Sequence, residues 1–222
     1  DLKVIKKINN VFDAEGKLIV LTNLSNGKRE IIERKPVNNH FLSNIYKNET
    51  SKINIFNETT WFSKVFSPQY KLVIIGAVHI SESLVTLANV LNFKVFLIDP
   101  RNNFDENKFI NKAHLLTEWP DEGLKRISIN NKTCIVTLTH DPKLDDPAID
   151  YSLKFSPLYI GCLGSVKTHK ARLKRLEKKG FSKLQLSKIN GPVGLDIEAK
   201  TPAEIACAII AQIISVKNNN AI

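Results

Sequence analysis

The chain has 222 residues, 43% hydrophobic and 24% charged, which is enough apolar material for a buried core and too much for wholesale disorder. Lys and Arg number 32 against 22 for Asp and Glu, a net +10 that suits either a solvated lysine-rich surface or an anionic partner: nucleic acid, a phosphate-bearing cofactor or an acidic protein. Apolar runs fall short of the ~20 residues that span a bilayer, and the opening DLKVIKKINN lacks the apolar stretch of a secretory signal, so membrane and secreted classes are set aside.

Asp1 in place of Met reads as a trimmed chain whose true beginning lies upstream. Residues 1–35 read as short strands with turns: KLIVLT (Lys17–Thr22) carries a strand signal, Asn26-Gly27 a tight turn, and Arg29–Glu33 a returning strand. Residues 36–67 are Asn-rich with scattered aromatics and read as an irregular or helical connection, with a boundary at Ser67-Pro68. This divides the chain into a β-rich segment, 1–67, and a larger domain, 68–222.

Beyond Pro68 the pattern changes to short apolar runs alternating with helical stripes. Strands are expected at Leu72–Ile75, Val95–Ile98, Ile135–Leu138 and Leu158–Ile160, the last ending at Gly161. Helices are expected at Ile80–Leu91, at Pro142–Leu153 capped by Asp141, at Val166–Lys179 with a basic back, and from Pro202 to about Val216 behind the capping box Thr201-Pro202-Ala203-Glu204. The alternation predicts an α/β fold with a doubly wound, mostly parallel, Rossmann-like sheet. Ligands of such sheets sit beyond the carboxyl ends of the strands.

The strand ends carry the chemistry. Gly76-Ala77-Val78-His79 keeps one glycine of a dinucleotide fingerprint and places branched Val78 where a phosphate would approach, while Asp99 supplies an acid at the expected distance. Asp99 and Arg101 read either as a ribose acceptor and a phosphate grip, or as a chain turn with a surface ion pair. Thr139-His140-Asp141, with Asp145 and Asp146, reads either as a ligand- or metal-facing cluster or as helix capping and first-turn carboxylates. Gly161-Cys162-Leu163-Gly164-Ser165 reads as a glycine-flanked loop at a helix start, with Cys162 either a thiolate of lowered pKa or a small buried residue. The basic run Lys167–Lys188 lacks interleaved aromatics, so nucleic acid is a poor fit; most of it reads as a solvated face, with Arg172 bordering the apolar stripe (Val166, His169, Leu173, Leu176) and directed at the Gly164 loop. Gly191–Asp196 is a rigid glycine-bearing loop with one carboxylate. The three cysteines, Cys134, Cys162 and Cys207, show no zinc spacing and fit a reducing cytoplasm; Cys134 and Cys207 are expected in the core.

Taken together, LVIIGAVHI, VFLIDPR, AHLL…WP, TLTHDPKLDDPAI, YIGCLGSVKTHKARLKRL and GPVGLDIEAKTPAEIACAIIAQI resemble, in order, the xanthine dehydrogenase accessory factor family (XdhC/CoxI type), over about Leu72 to Ile214. Residues 15–37 resemble the tail of that family's first domain, making the amino-terminal segment a partly missing β-rich domain. The resemblance implies a chaperone that binds molybdenum cofactor, protects it while a terminal sulfur is installed, and helps insert it into xanthine dehydrogenase or a related molybdenum hydroxylase. A sulfur-donor desulfurase would be a second partner, and a homodimer is compatible. Alternatives on the same fold are an NAD(P)-binding oxidoreductase and a degenerate member with a protein-interaction role. The expected cofactor-binding set is Gly76, Ala77, His79, Asp99, Arg101, Thr139, His140, Asp141, Gly161, Cys162, Gly164, Ser165, Arg172, Gly194 and Asp196; no catalytic or metal residue is assigned. The sequence departs from the family pattern at Val78 and Glu198, where glycine is usual, at Gln212, where Glu is usual, and at Cys162, where Ala is more frequent.

Overall fold

A computed structural model describes residues 2–13, 15–34, 36, 38–47, 50–101 and 104–219. The chain divides into two compact units, residues 1–68 with 219–222, and residues 69–218.

The first unit opens with a helix, α1 (Leu2–Asp13), where short strands were expected. Val4, Ile8 and Val11 recur at helical spacing and are each half-buried, a period the strand reading overlooked. The hairpin then follows as expected, β1 (Leu18–Asn23) pairing with β2 (Arg29–Ile32). Residues 36–67 are more regular than the connection expected there. They form α2 (His40–Lys47) and a second hairpin, β3 (Lys52–Phe56) with β4 (Thr59–Phe66). Its turn places Asn57 and Glu58 at φ 46° and 60°, the paired left-handed geometry of a two-residue hairpin loop. Glu in that second position hid the turn, because Gly is the usual signal. The four strands make an antiparallel sheet, β2-β1-β4-β3. Ile19, Leu21 and Ile32 pack against Ile45 of α2 to form its core.

The second unit is a Rossmann-like α/β domain. Its strands are β5 (Lys71–Ile75), β6 (Lys94–Ile98), β7 (His114–Leu116), β8 (Thr133–Thr137), β9 (Tyr159–Cys162) and β10 (Ile189–Asn190), all parallel, in the order β10-β9-β8-β5-β6-β7. Numbered within the domain this is 3-2-1-4-5-6 read from the other edge, the order of dinucleotide-binding folds. The chain winds outward from β5 to β7, then returns past β5 to lay down β8, so the switch point lies between β5 and β8.

Helices α3 (His79–Val90) and α8 (Pro202–Asn219) cover one face of the sheet, burying Leu84, Val85 and Ala88 with Ala206, Ile209 and Ile213 against Leu72, Ile74 and Val136. On the other face α4 (Pro120–Lys125) and α5 (Pro142–Leu153) bury Leu124 and Ala148 against Val73, Ile75 and Ile135. Helices α6 (Val166–Lys178) and α7 (Lys183–Leu186) join α5 over Ile160 and Cys162. The expected Thr201–Glu204 box closes on α8: Thr201 Oγ1 accepts from the Glu204 amide at 3.2 Å, and Glu204 Oε2 accepts from the Thr201 amide at 2.8 Å. Cys134 is buried as expected, but Cys207 is exposed on α8. One correction therefore concerns the helix face, since Ala206, not Cys207, points into the core.

Candidate functional site

Parallel winding delivers four strand ends to one edge of the sheet: Gly76 after β5, Asp99 after β6, Thr139 and His140 after β8, and Leu163–Ser165 after β9. At the switch point the tips nearly touch. A Cβ built on Gly76 would meet Thr139 Cγ2 at 2.7 Å, and Gly76 holds φ +107°, a conformation that only glycine adopts without strain.

Asp99 is 1% exposed, and its carboxylate is occupied by its own chain. Oδ2 accepts from the Ala77 amide at 2.7 Å and from Arg101 Nη2 at 2.7 Å; Oδ1 accepts from the Arg101 amide and from Arg101 Nε, both at 2.9 Å. Burial alone would raise its pKa, but the Arg101 guanidinium and the two amides outweigh it and hold the carboxyl below its usual value. Of the two sequence readings, the chain turn with an ion pair describes this geometry, and Arg101's partner is Asp99 itself. Arg101 remains part exposed with further N–H groups to offer. Together with Ala77, Val78, His79, Phe104 and Phe109 it lines a hollow of ≈ 340 Å³, whose rim carries the Glu82–Lys108 ion pair. Phe104 and Phe109 meet edge to face across it, two residues that sequence reading did not pick out because they lie in a loop without periodicity. Val78 stands at the amino-terminal cap of α3 with φ −107°, so its backbone tolerates the branched side chain. Ser81 takes over the capping, accepting from the Val78 amide at 3.2 Å and donating to the Gly76 carbonyl at 2.5 Å.

The β8 tip resolves into capping and a buried network. Asp141 Oδ1 accepts from the Lys143 amide at 2.9 Å, the cap expected of it. Thr139 Oγ1 donates to Asp145 Oδ1 at 2.6 Å and accepts from the Asp141 amide at 3.1 Å. Asp145 is buried, and burial raises its pKa against the opposing pull of Thr139 and Arg172. Asp146 is bound by both Arg175 Nε at 2.6 Å and Nη2 at 3.0 Å. The metal reading of this cluster loses its ligands: two of its carboxylates belong to arginines, and among the described residues no group of three His, Cys, Asp or Glu could hold an ion. His140 itself is exposed at φ +60°, a left-handed residue at the strand mouth.

The β9 end requires two corrections. The strand runs to Cys162, so Gly161 and Cys162 lie inside the sheet and not in the loop. The position of a Gly161 side chain is filled by Val193 and Tyr159. Cys162 is fully buried, and burial pushes its thiol up to about 12, which rules out the low-pKa thiolate. Ser165 caps α6, accepting from the Thr168 amide at 3.2 Å. Arg172 is 2% exposed; its Nη2 donates to the Leu163 carbonyl at 3.0 Å and faces Asp145 Oδ2 at 3.5 Å. The signal was in the sequence, since His169, Arg172 and Leu176 share one helical stripe that turns inward. Most of its basic neighbours are exposed, the solvated face expected of them, and two of them also bridge to α5. Arg175 pairs with Asp146 and Lys179 with Asp150 at 3.1 Å, so α6 is tied to α5 along its length.

The Gly191–Asp196 loop lies apart from this network in its second half. Val193 donates its amide to the Cys162 carbonyl at 3.1 Å, but Gly194 is tied to α8, its amide donating to Gln212 Oε1 at 2.9 Å. Gln212 also accepts from the Tyr159 hydroxyl at 2.5 Å, the acceptor role a Glu would fill there. Asp196 and Glu198 are exposed, and Glu198 adopts φ +55°, where glycine is favoured.

A model of the XdhC Rossmann domain matches residues 72–213. The chain belongs to the XdhC Rossmann domain family. Beyond that match, the chain is 31% identical over 169 residues to a probable xanthine dehydrogenase subunit of Bacillus subtilis (strain 168), covering 75% of this chain and 49% of that protein. It is 32% identical over 105 residues to the molybdenum cofactor insertion chaperone PaoD of Escherichia coli (strain K12), covering 47% and 32%. A solved xanthine dehydrogenase structure from Bacillus halodurans (BH1974) superposes with TM-score 0.72 at 25% identity, over 98% of this chain and 64% of that one. The XdhC chain described here thus spans less than half the length of these two curated relatives.

Proposed function

We propose that this XdhC domain is a molybdenum-cofactor chaperone: it holds the cofactor at the β5–β8 switch point, keeps it while a terminal sulfur is installed, and passes it to a molybdenum hydroxylase such as xanthine dehydrogenase. It binds its cargo and does not turn it over. A desulfurase would supply the sulfur, and the work would be done in the cytoplasm; a second copy of the chain is compatible with this role. The observation that carries the reading is the state of Asp99. A dinucleotide-binding fold presents this carboxylate to a ribose, whereas here it already accepts four hydrogen bonds from Ala77 and Arg101. What the strand ends offer an anion is Arg101, the start of α3, whose cap residue Val78 has no side-chain acceptor, and Arg172 behind the β9 tip, with the carboxylates Glu82 and Asp105 sharing the Arg101 hollow. Such a crevice favours a ligand bearing a phosphate over one selected by its diol. The relative PaoD, whose name makes it a molybdenum cofactor insertion chaperone, points the same way.

Anaerobic titration of the full chain with molybdenum cofactor and with NAD(P)H, followed by absorbance and calorimetry, tests the proposal. Saturable cofactor binding without nicotinamide binding is the expected result. Nicotinamide binding with turnover would replace it by an oxidoreductase, and binding of neither would leave only a protein-interaction role.

A further inference from the structure

We propose that the inner face of α6 carries an oxyanion subsite, built from Arg172 and His169 beneath the Leu163–Ser165 and Gly191–Val193 loops, that takes a phosphate monoester. This deepens the chaperone reading and rests on it only for the identity of the larger ligand.

Arg172 is a buried guanidinium whose hydrogen bonding is incomplete. Nη2 is bound to the Leu163 carbonyl at 3.0 Å, but its separation from Asp145 Oδ2, 3.5 Å, is well beyond the ~2.7–2.9 Å of a charge-assisted bond. Nε and Nη1 are covered and have no partner among the described residues. Buried polar groups are almost always satisfied, and one that is not calls for a partner, such as an ordered water or an ion, or for a functional role. His169 lies one turn earlier on the same face, and its Nδ1 is likewise covered and unpartnered. Burial, and then the nearby Arg172 charge, lower its pKa, so the imidazole is neutral and able to donate from one nitrogen. The Gly191 backbone lies directly on the His169 ring, leaving no room for a Cβ. Asp145, the carboxylate nearest the guanidinium, is bound at Oδ1 by Thr139 at 2.6 Å and pairs through Oδ2 with Nη2 alone, leaving Nε and Nη1 to other acceptors. The amino end of α6, within two turns of Arg172, adds its partial positive charge. Donors of this kind, in a covered position, match the tetrahedral oxygens of a phosphate. Because the donors are covered, access requires the two loops to part.

The full chain labelled with ¹⁵N-arginine provides the test. Inorganic phosphate, titrated against chloride at matched ionic strength, should move the Arg172 Nε–H resonance downfield and raise the melting temperature. Arg172→Met should abolish that gain and weaken cofactor binding about ten- to a hundred-fold, the loss of one charge-assisted contact. Phosphate should also compete with the cofactor, which separates a free-anion site from the seat of the cofactor's own phosphate. An Nε–H signal unmoved at saturating phosphate would overturn the subsite. The wild-type resonance decides the matter even if Arg172→Met does not fold. Phosphate binding without cofactor binding would leave the subsite standing and remove the chaperone role. Cofactor binding that is indifferent to both phosphate and Arg172→Met would keep the chaperone role and overturn the subsite as the seat of the cofactor's phosphate.

Discussion

The carboxylate of Asp99 ties two backbone amides and one side chain together at the sheet edge, through the Ala77 amide, the Arg101 amide and the Arg101 guanidinium. Asp99→Asn removes the charge but keeps the shape. We expect a loss of about 2 kcal/mol at neutral pH, the scale of hydrogen bonds to a charged group, measured by denaturant unfolding. The folded pKa of Asp99 lies below its unfolded value, so its stabilisation is complete above roughly pH 4, the unfolded carboxyl value, and disappears as pH falls through the folded one. The difference between wild type and Asp99→Asn should therefore be flat above about pH 5 and shrink in stronger acid. Asp145 works with the opposite sign, because burial raises its pKa and its ionisation costs the fold stability. The position of Asp99 was legible in the sequence by its spacing from Gly76; its partners were not, because an amide 22 residues away leaves no trace in a linear pattern. Val78→Gly belongs to the same scale. It removes a half-buried side chain and a favourable extended residue from the start of α3, for about 1 kcal/mol, and bares the helix amides. Tighter phosphate binding by calorimetry, despite the lower melting temperature, is the expected outcome.

Among the elements, α5 and α6 are joined by successive ion pairs, Asp145–Arg172, Asp146–Arg175 and Asp150–Lys179, whose exposure rises from the buried end at the strand tips to the solvated end. Removing the half-buried, bidentate middle pair with Asp146→Ala should cost about 1–2 kcal/mol, and adding salt should reduce the cost only slightly. The outer pair Asp150–Lys179 should contribute little. Both helices were legible from caps and stripes, and their ends fall within a residue or two of expectation. What stayed hidden was their mutual bonding, since the acidic first turn of α5 is fully explained by capping and the basic back of α6 by solvation until the two are brought side by side. β7, β10, α4 and α7 were missed for a simpler reason: runs of two to six residues are too short to show a period. At the switch point Gly76→Ala would force a Cβ against Thr139 and strain the backbone; a loss of about 2–3 kcal/mol is expected in thermal unfolding.

The whole molecule comprises two units with separate cores, one around Ile19, Leu21, Ile32 and Ile45, the other spread over both faces of the parallel sheet. Residues 69–222 expressed alone should therefore unfold cooperatively and keep the phosphate response of the full chain; loss of either would show that the first unit is needed for the second to form. The alternation of strand and helix predicted the Rossmann-like class directly, and right-handed crossovers then leave few strand orders open. The first unit was read less well because its helix α1 and its Asn57-Glu58 turn use residues with weak signals for those roles.

The engagement of Asp99 has a consequence in a cell. Nicotinamide nucleotides are plentiful there, and a carrier of a scarce pterin that also welcomed their sugars would be permanently blocked by bystanders. In the proposed carrier role, an arginine closed over Asp99 would leave that carboxylate little to offer a ribose, so nucleotides would compete poorly for the crevice.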